Sequence, residues 1–276
     1  MSLTTATTST GHELPAFITP DGRTRFLGAI PSGAAKMAAP LYGASNPVIP
    51  RSEWAAVKRP RGPVPILDQG QHGSCVGHGS TRAIMKLRSR AGLPFVLLSP
   101  TFVYAQINGD RDAGSDPADA ATTLASVGTC TMQECGEDTI FRRQIPQSAY
   151  ETAKRFKALD IYQCQSFDEA ISAWLCGFDV FDTVYVGARF NNLDGEGVPP
   201  AARGFGNHCV MYGDELKQSS KWGWLMEHAN SWSTDWGQGG YYFQAEAHYD
   251  RQPQWQAFAV RAVALDPQDP DATPFE

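Results

Sequence analysis

The sequence predicts an α+β chain of two lobes, and three observations lead there. Apolar residues recur with a helical period mainly between about residues 74 and 177. After about residue 178 the period shifts toward two, in runs rich in Trp, Tyr, Phe and Val broken by Gly or Asp. Helices that lead and strands that follow do not make alternating βαβ units, and 276 residues suit one large domain or two small lobes.

Residues 1 to about 48 are rich in Thr, Ala, Gly and Pro without a clear period, so they read as an arm, linker or short pro-segment outside the core. Pro60, Pro63 and Pro65 keep the chain extended up to Leu67-Asp-Gln-Gly-Gln-His-Gly73, a polar stretch suited to turns. A helix is predicted over 74–90, with Ser74 as N-cap, Val76, Ala83, Ile84 and Leu87 on one face, and Gly92 as terminator. More helices are expected at 99–107, 117–127 and 147–157, and a last one runs from the capping box Ser166-Phe-Asp-Glu169 to about Gly177. Strands are expected around Val180, Val184 and Val186, then over 208–213, 222–230, 240–245 and 257–265. The main domain should span 49–266, and the tail 267–276 should be loose.

The formal charge is 23 − 29 = −6, with 42 % hydrophobic and 19 % charged residues. That balance is globular, and its mild acidity argues against nucleic acid held through phosphate contacts. The apolar stretch at 95–98 falls far short of the ~20 residues a membrane helix needs. The first ten residues have neither a basic start nor an apolar run, so no secretory signal is read there. A cytoplasmic protein, or one packaged or released by a non-classical route, is the expectation. Six cysteines do not make a disulfide scaffold: only Cys130 and Cys135 are near neighbours, and no second pair completes a zinc site. Those two form either a local disulfide or part of a set of buried free thiols. Neither a metal nor an organic cofactor is expected.

Cys75 stands apart. A thiol in the first turn of a helix sees the positive end of the macrodipole and unpaired N–H groups, which favour the thiolate, the form that attacks. Gly70 and Gly73 just upstream allow a tight turn and the approach of another backbone.

The segment Gln69-Gly-Gln-His-Gly-Ser-Cys75 closely resembles the Gln-Gly-x-Cys-Gly-Ser-Cys motif of papain-like cysteine peptidases. Asn207-His208-Cys-Val is similar to that family's Asn-His-Ala-Val strand, and Asn230-Ser-Trp-Ser-Thr-Asp-Trp-Gly-Gln-Gly-Gly-Tyr241 to its Asn-Ser-Trp-Gly-x-x-Trp-Gly-x-x-Gly-Tyr signature. The separations, 208 − 75 = 133 and 230 − 75 = 155, agree in order of magnitude with the roughly 130–150 residues of the papain pattern. The resemblance spans about 49–265. It implies a helical lobe, an antiparallel sheet or barrel lobe, and a cleft between them that binds an extended polypeptide. It further implies Cys75 as nucleophile, His208 as its proton partner, Asn230 orienting the imidazole, and Gln69 with the Cys75 N–H as oxyanion donors. Gly73, Ser74 and Trp232 would touch substrate, Trp232 also shielding the His208–Asn230 contact.

Several positions depart from the family pattern. Val76 follows the nucleophile where Trp is usual, and Ser233 replaces a Gly. His72 stands at a disulfide Cys position, so that bridge is absent. His78 is read as a packed residue, and His228 as a second candidate base on the Asn230 face of its strand. The paired glycines that seat a substrate backbone have no clean counterpart, and Asp119-Ala-Ala121 lies in about their place. The expected activity is that of a cysteine-type endopeptidase, with the same fold used as a structural or assembly protein as the alternative. Residues 1–48 would be a short pro-segment or an arm docking a larger assembly.

Overall fold

In the computed structural model residues 3–32 and 39–263 are described, so the predicted tail at 267–276 lies outside them. The chain opens with strands β1 (Leu3–Thr7), β2 (Glu13–Ile18) and β3 (Thr24–Phe26), which form a three-stranded antiparallel sheet. A short helix α1 (Tyr42–Ser45) and strand β4 (Val57–Lys58) lead into α2 (Cys75–Arg90), α3 (Pro100–Ile107), α4 (Pro117–Ser126) and α5 (Gln147–Ala153). Then come β5 (Ala158–Cys164), α6 (Phe167–Leu175), β6 (Asp179–Val184), β7 (His208–Ser219), β8 (Gly223–Ala229), β9 (Tyr241–Ala245), α7 (Glu246–Tyr249) and β10 (Ala257–Val263). The large sheet is antiparallel in the order β5-β10-β6-β7-β8-β9, with β4 added on β7.

The helices begin where local chemistry starts them. Ser99, Asp116 and Ser166 each accept a hydrogen bond from a first-turn N–H, which satisfies a donor the helix cannot. Ser74 behaves differently. It occupies the N-cap position of α2, but its side chain caps nothing and its Oγ is buried without a partner. The first N–H groups of α2 therefore stay available to the Cys75 sulfur. At the other end Gly92 adopts φ +72°, which favours glycine.

Helix α2 is buried along nearly its whole length and joins the two lobes. Val76, Ala83, Ile84 and Leu87 pack into the helical core with Phe102 and Leu124. Three of its four charged residues face the sheet lobe: Lys86 pairs with Asp214, Arg90 reaches Asp179 at 2.8 Å, and Arg82 donates to Tyr241 Oη at 3.1 Å. A buried charge is tolerable only when paired in this way.

Two expectations need correcting. The arm expected over 1–48 is, in its described residues 3–32, not outside the core: Phe17 and Leu27 are fully buried in one cluster with Trp232, Trp236 and Tyr242. The period-two signal of β2 was masked because Pro15 interrupts it and β1 is mostly Thr. Strand β5 is likewise not among the expected strands, because it alternates weakly on a sheet edge.

Candidate functional site

Two elements from opposite lobes set the site. Cys75 is the first residue of α2 and His208 the first of β7, where it pairs in register with Val184 of β6. The N–H of Cys209, next to His208, acts on the Cys75 sulfur, as do the N–H groups of Gly28, Val76 and Cys75 itself. Burial outweighs these donors and pushes the thiol up to about 11.

His208 is fully buried, its ring 4.8 Å from that of Trp232. Its Nε2 lies 2.7 Å from Asn230 Oδ1. The same oxygen accepts the Ser231 N–H at 2.8 Å, which fixes the amide with oxygen toward the ring. Nε2 must then carry the proton, and Nδ1 is left as the basic nitrogen. That Nδ1 is buried with no hydrogen-bond partner. Burial drives His208 down to about 4 against the opposing pull of Asn230, so the ring is neutral. In this state no hydrogen bond joins the Cys75 thiol to the imidazole. A neutral thiol and a neutral imidazole share the site rather than an ion pair.

Gln69 is held at both ends. Its Oε1 accepts from Ser231 Oγ at 2.8 Å, while its Nε2 donates to His72 O and to Phe26 O, each at 2.9 Å. Gly73 and Ser74 directly precede the thiol, and Ser74 is fully buried. Gly28 lies so close to Gly73 that a Cβ at position 28 would sit 2.0 Å from Gly73 O.

The N-terminal segment runs through this cleft. Gly28 O accepts from Ser115 N at 2.8 Å and Ile30 N donates to Ser115 O at 2.9 Å, a parallel bridge to the helical lobe. Ala29 N donates to Asn207 O at 3.1 Å, on the sheet lobe. Phe17 stacks on Trp232 with ring centroids 5.8 Å apart, and buried Arg25 pairs with Asp68 and donates to Trp232 O at 3.0 Å. A side chain fully buried in this way contributes about 1.5–3 kcal/mol before ordering costs. The Gly28 N–H of this segment acts on the Cys75 sulfur.

The edge that the arm's backbone meets on the helical lobe is Gly114 and Ser115, while Asp119-Ala-Ala121 lies inside α4. Gly114 has φ +86° and would strike Gly28 O at 2.5 Å with a Cβ. A glycine just before an Asp116-Pro117 helix start was the available signal. Asn207, which presents its carbonyl, and Gly28 were also missed, because backbone roles leave little trace in residue type. His228 is not at the site: its Nδ1 meets Met226 O at 3.0 Å and its Nε2 meets Tyr249 Oη at 3.0 Å inside the sheet lobe. His78 is packed as expected, with Nδ1 2.9 Å from Ser74 O. Ser233, at φ +64°, holds the left-handed conformation that a Gly would adopt freely. Cys130 and Cys135 are both free thiols, as are Cys75, Cys164, Cys176 and Cys209.

The sequence matches no protein-family model and has no significant match among curated proteins. Solved structures do match. Xylellain, a cysteine protease from Xylella fastidiosa, aligns with TM-score 0.66 and 20 % identity over 86 % of this chain and 96 % of that one. Digestive procathepsin L 3 of Tenebrio molitor aligns at 0.63 and 15 %, over 83 % and 75 %. A procathepsin B from Trypanosoma congolense aligns at 0.60 and 14 %, over 85 % of each chain. No helix among the described residues is long and apolar enough to cross a membrane. The chain has the α+β fold of the papain-like cysteine proteases.

Proposed function

We propose that the chain is a cysteine-type endopeptidase held latent by its own N-terminal arm. The observation that carries this reading is the peptide already in the cleft. Phe26 O rests on the Gln69 amide, Ala29 N–H on Asn207 O, and Gly28 and Ile30 on the two backbone groups of Ser115. A cleft that grips one extended backbone beside a helix-terminal thiol suits polypeptide as substrate.

With the arm displaced, water reaches the sulfur and the burial that keeps it protonated relaxes. His208 Nδ1 then takes the thiol proton. The Cys75 thiolate attacks the carbonyl carbon, and the oxygen gathers charge between Gln69 Nε2–H and the Cys75 N–H. His208 passes its proton to the leaving amine, and water clears the acyl group by the reverse sequence. Asn230 holds the ring and its tautomer throughout, and Trp232 keeps water from their contact.

The test is an epoxysuccinyl thiol reagent and a mass spectrum. The full chain carrying Gly28→Val, which has no room for a side chain at position 28, should gain a single adduct, and the same chain with Cys75→Ser should gain none. An unmodified mass under reducing conditions would instead favour the assembly reading, in which the cleft serves only to hold the arm. Sequencing the N-terminus of the same sample would show whether residues 1–48 are removed.

A further inference from the structure

The connection between α3 and α4 carries a fully buried carboxylate that binds the loop before Cys75 and that the chemistry above does not use. Asp112 is 0 % exposed and takes three donors. Its Oδ1 accepts from Gly73 N at 3.0 Å and from Tyr104 Oη at 2.7 Å, and its Oδ2 lies 2.9 Å from His72 Nδ1. Tyr104 Oη in turn accepts from Gly114 N at 3.1 Å. One carboxylate thus binds the two residues before Ser74 and Cys75, a tyrosine of α3, and through it the glycine beside Ser115. Both surfaces that must hold still during attack, the nucleophile's loop and the edge that seats the peptide, meet at this group.

We propose that Asp112 is a positioning residue for Cys75, which with His72 staples the nucleophile loop to the peptide-seating edge by charge and hydrogen bonds, at a position where papain-like chains usually carry a disulfide cysteine. The inference rests on the peptidase reading. It differs from a disulfide in a measurable way: reductants do not open it, and pH does.

The groups facing His72 are Asp112, Asp138 with Oδ1 3.5 Å from Nε2, Ser9 of the arm at 3.5 Å, and His78 on α2, with Asp68 and Glu137 bordering the same cavity. Burial works against the imidazolium, but Asp112 and Asp138 outweigh it and hold His72 above its ordinary value. Burial also works against the Asp112 carboxylate, and His72, Tyr104 and the Gly73 N–H together hold it below the usual range. The sign follows from both directions. The charged pair is complete between the two shifted values, weakens on the acid side as Asp112 takes a proton, and weakens on the alkaline side as His72 loses one.

The test uses the full chain carrying Gly28→Val, read by peptide hydrolysis and by the rate of Cys75 alkylation with iodoacetamide from about pH 5 to 9, the range that spans histidine titration. Asp112→Asn should lower kcat by about 10²-fold with KM near the parent's, as a displaced reacting group does. His72→Gln keeps a donor for Asp112 but carries no charge at any pH, so it should bring kcat at neutral pH toward the parent's alkaline value and remove the staple's share of the alkaline limb in both profiles. A folded Asp112→Asn chain with parental kcat would overturn the proposal. So would a parental alkaline limb in His72→Gln, and that profile decides alone should Asp112→Asn fail to fold. Loss of hydrolysis in the parent, with Cys75 still alkylated, would sink the peptidase reading while the alkylation profiles continued to judge the staple.

Discussion

The sheet lobe buries a histidine at its mouth and another in its interior, and the two are finished differently. His208 and His228 are both 0 % exposed and sit on neighbouring strands, with Tyr212 of β7 opposite His228 in register. The interior ring is saturated, one nitrogen on Met226 O and the other on Tyr249 Oη, with Asp182 3.6 Å away. The mouth ring is anchored on one nitrogen only, by a neutral amide, and the other nitrogen is left bare. An unpartnered buried nitrogen costs free energy, about 1–3 kcal/mol, and is retained where the atom has another use. A saturated histidine holds a fold together; a half-saturated one is free to take a proton.

Short of removing His208 itself, the largest expected effect sharpens what surrounds the bare nitrogen. In the open Gly28→Val chain, Gln69→Ala should cost about 10²–10³ in kcat/KM, roughly 2.7–4 kcal/mol, through loss of an oxyanion donor. Cys75 alkylation, which builds no oxyanion, should hardly change. Equal losses in both assays would mean that Gln69 supports the loop rather than the reacting oxygen. The next effect concerns the cover. Burial pushes the thiol from 9.0 up to about 11, so exposing it with Gly28→Val should speed neutral-pH alkylation by about 10²-fold. A parental rate would show that the arm does not bury the sulfur in solution.

Proton linkage gives a smaller effect with a defined sign. His208 is depressed to about 4 and His78, its neighbour, to about 4, so the closed form binds fewer protons than the open one. Their contribution is full above the ordinary value near 6.5 and is lost as pH falls from there toward 4. Cys75 is raised, so its contribution is full below the ordinary value of 9.0 and lost as pH climbs toward about 11. The arm should therefore seat best between about pH 6.5 and 9, with about 1–2 kcal/mol lost on the acid side, because Trp232 still covers His208 after the arm leaves. Hydrogen exchange of the amides at 27–31, corrected for intrinsic rates, reads this directly. In Cys75→Ser the alkaline loss should vanish while the acid loss persists. A flat profile would break the link between the mouth histidine and the arm.

Much of this contrast was legible in the sequence, but unevenly. Side chains proposed for chemistry are chosen by type, so Cys75, His208, Asn230 and Gln69 stand out in three ordered motifs. The two-period organisation was readable as well, because α2 and the strands after residue 178 each bury a regular face. Groups that act through the backbone were not: Asn207 O, Ser115 and Gly28 could be many residue types or are chosen only for having no side chain. The order of the arm was hidden for another reason. Its strands are short, and Phe17 and Leu27 find their partners on Trp232, more than 200 residues away in the chain, where no local period can report them. Asp112 is the intermediate case, a lone acidic residue whose partners, His72 and Tyr104, are visible only once the loops are folded.

The smallest expected effect on rate falls on the saturated histidine, and it separates the two rings most cleanly. His228→Gln removes an acceptor from Tyr249 Oη and a neighbour from Asp182, whose carboxyl is already pushed up by burial and is otherwise held by Trp255. A buried hydroxyl and carboxyl losing a partner should cost about 1–3 kcal/mol. At about 2–4 °C per kcal/mol for a chain of this size, that is a plain drop in Tm. The rates of hydrolysis and of Cys75 alkylation in the open chain should stay at the parent's values, since no atom of His228 reaches the cleft. His208→Gln should show the reverse: hydrolysis lost, with Tm nearly held, because a bare nitrogen contributes little to the fold. If His228→Gln lowered kcat without lowering Tm, the interior ring would have to feed protons to the mouth, and the division between a holding and a working histidine would fail.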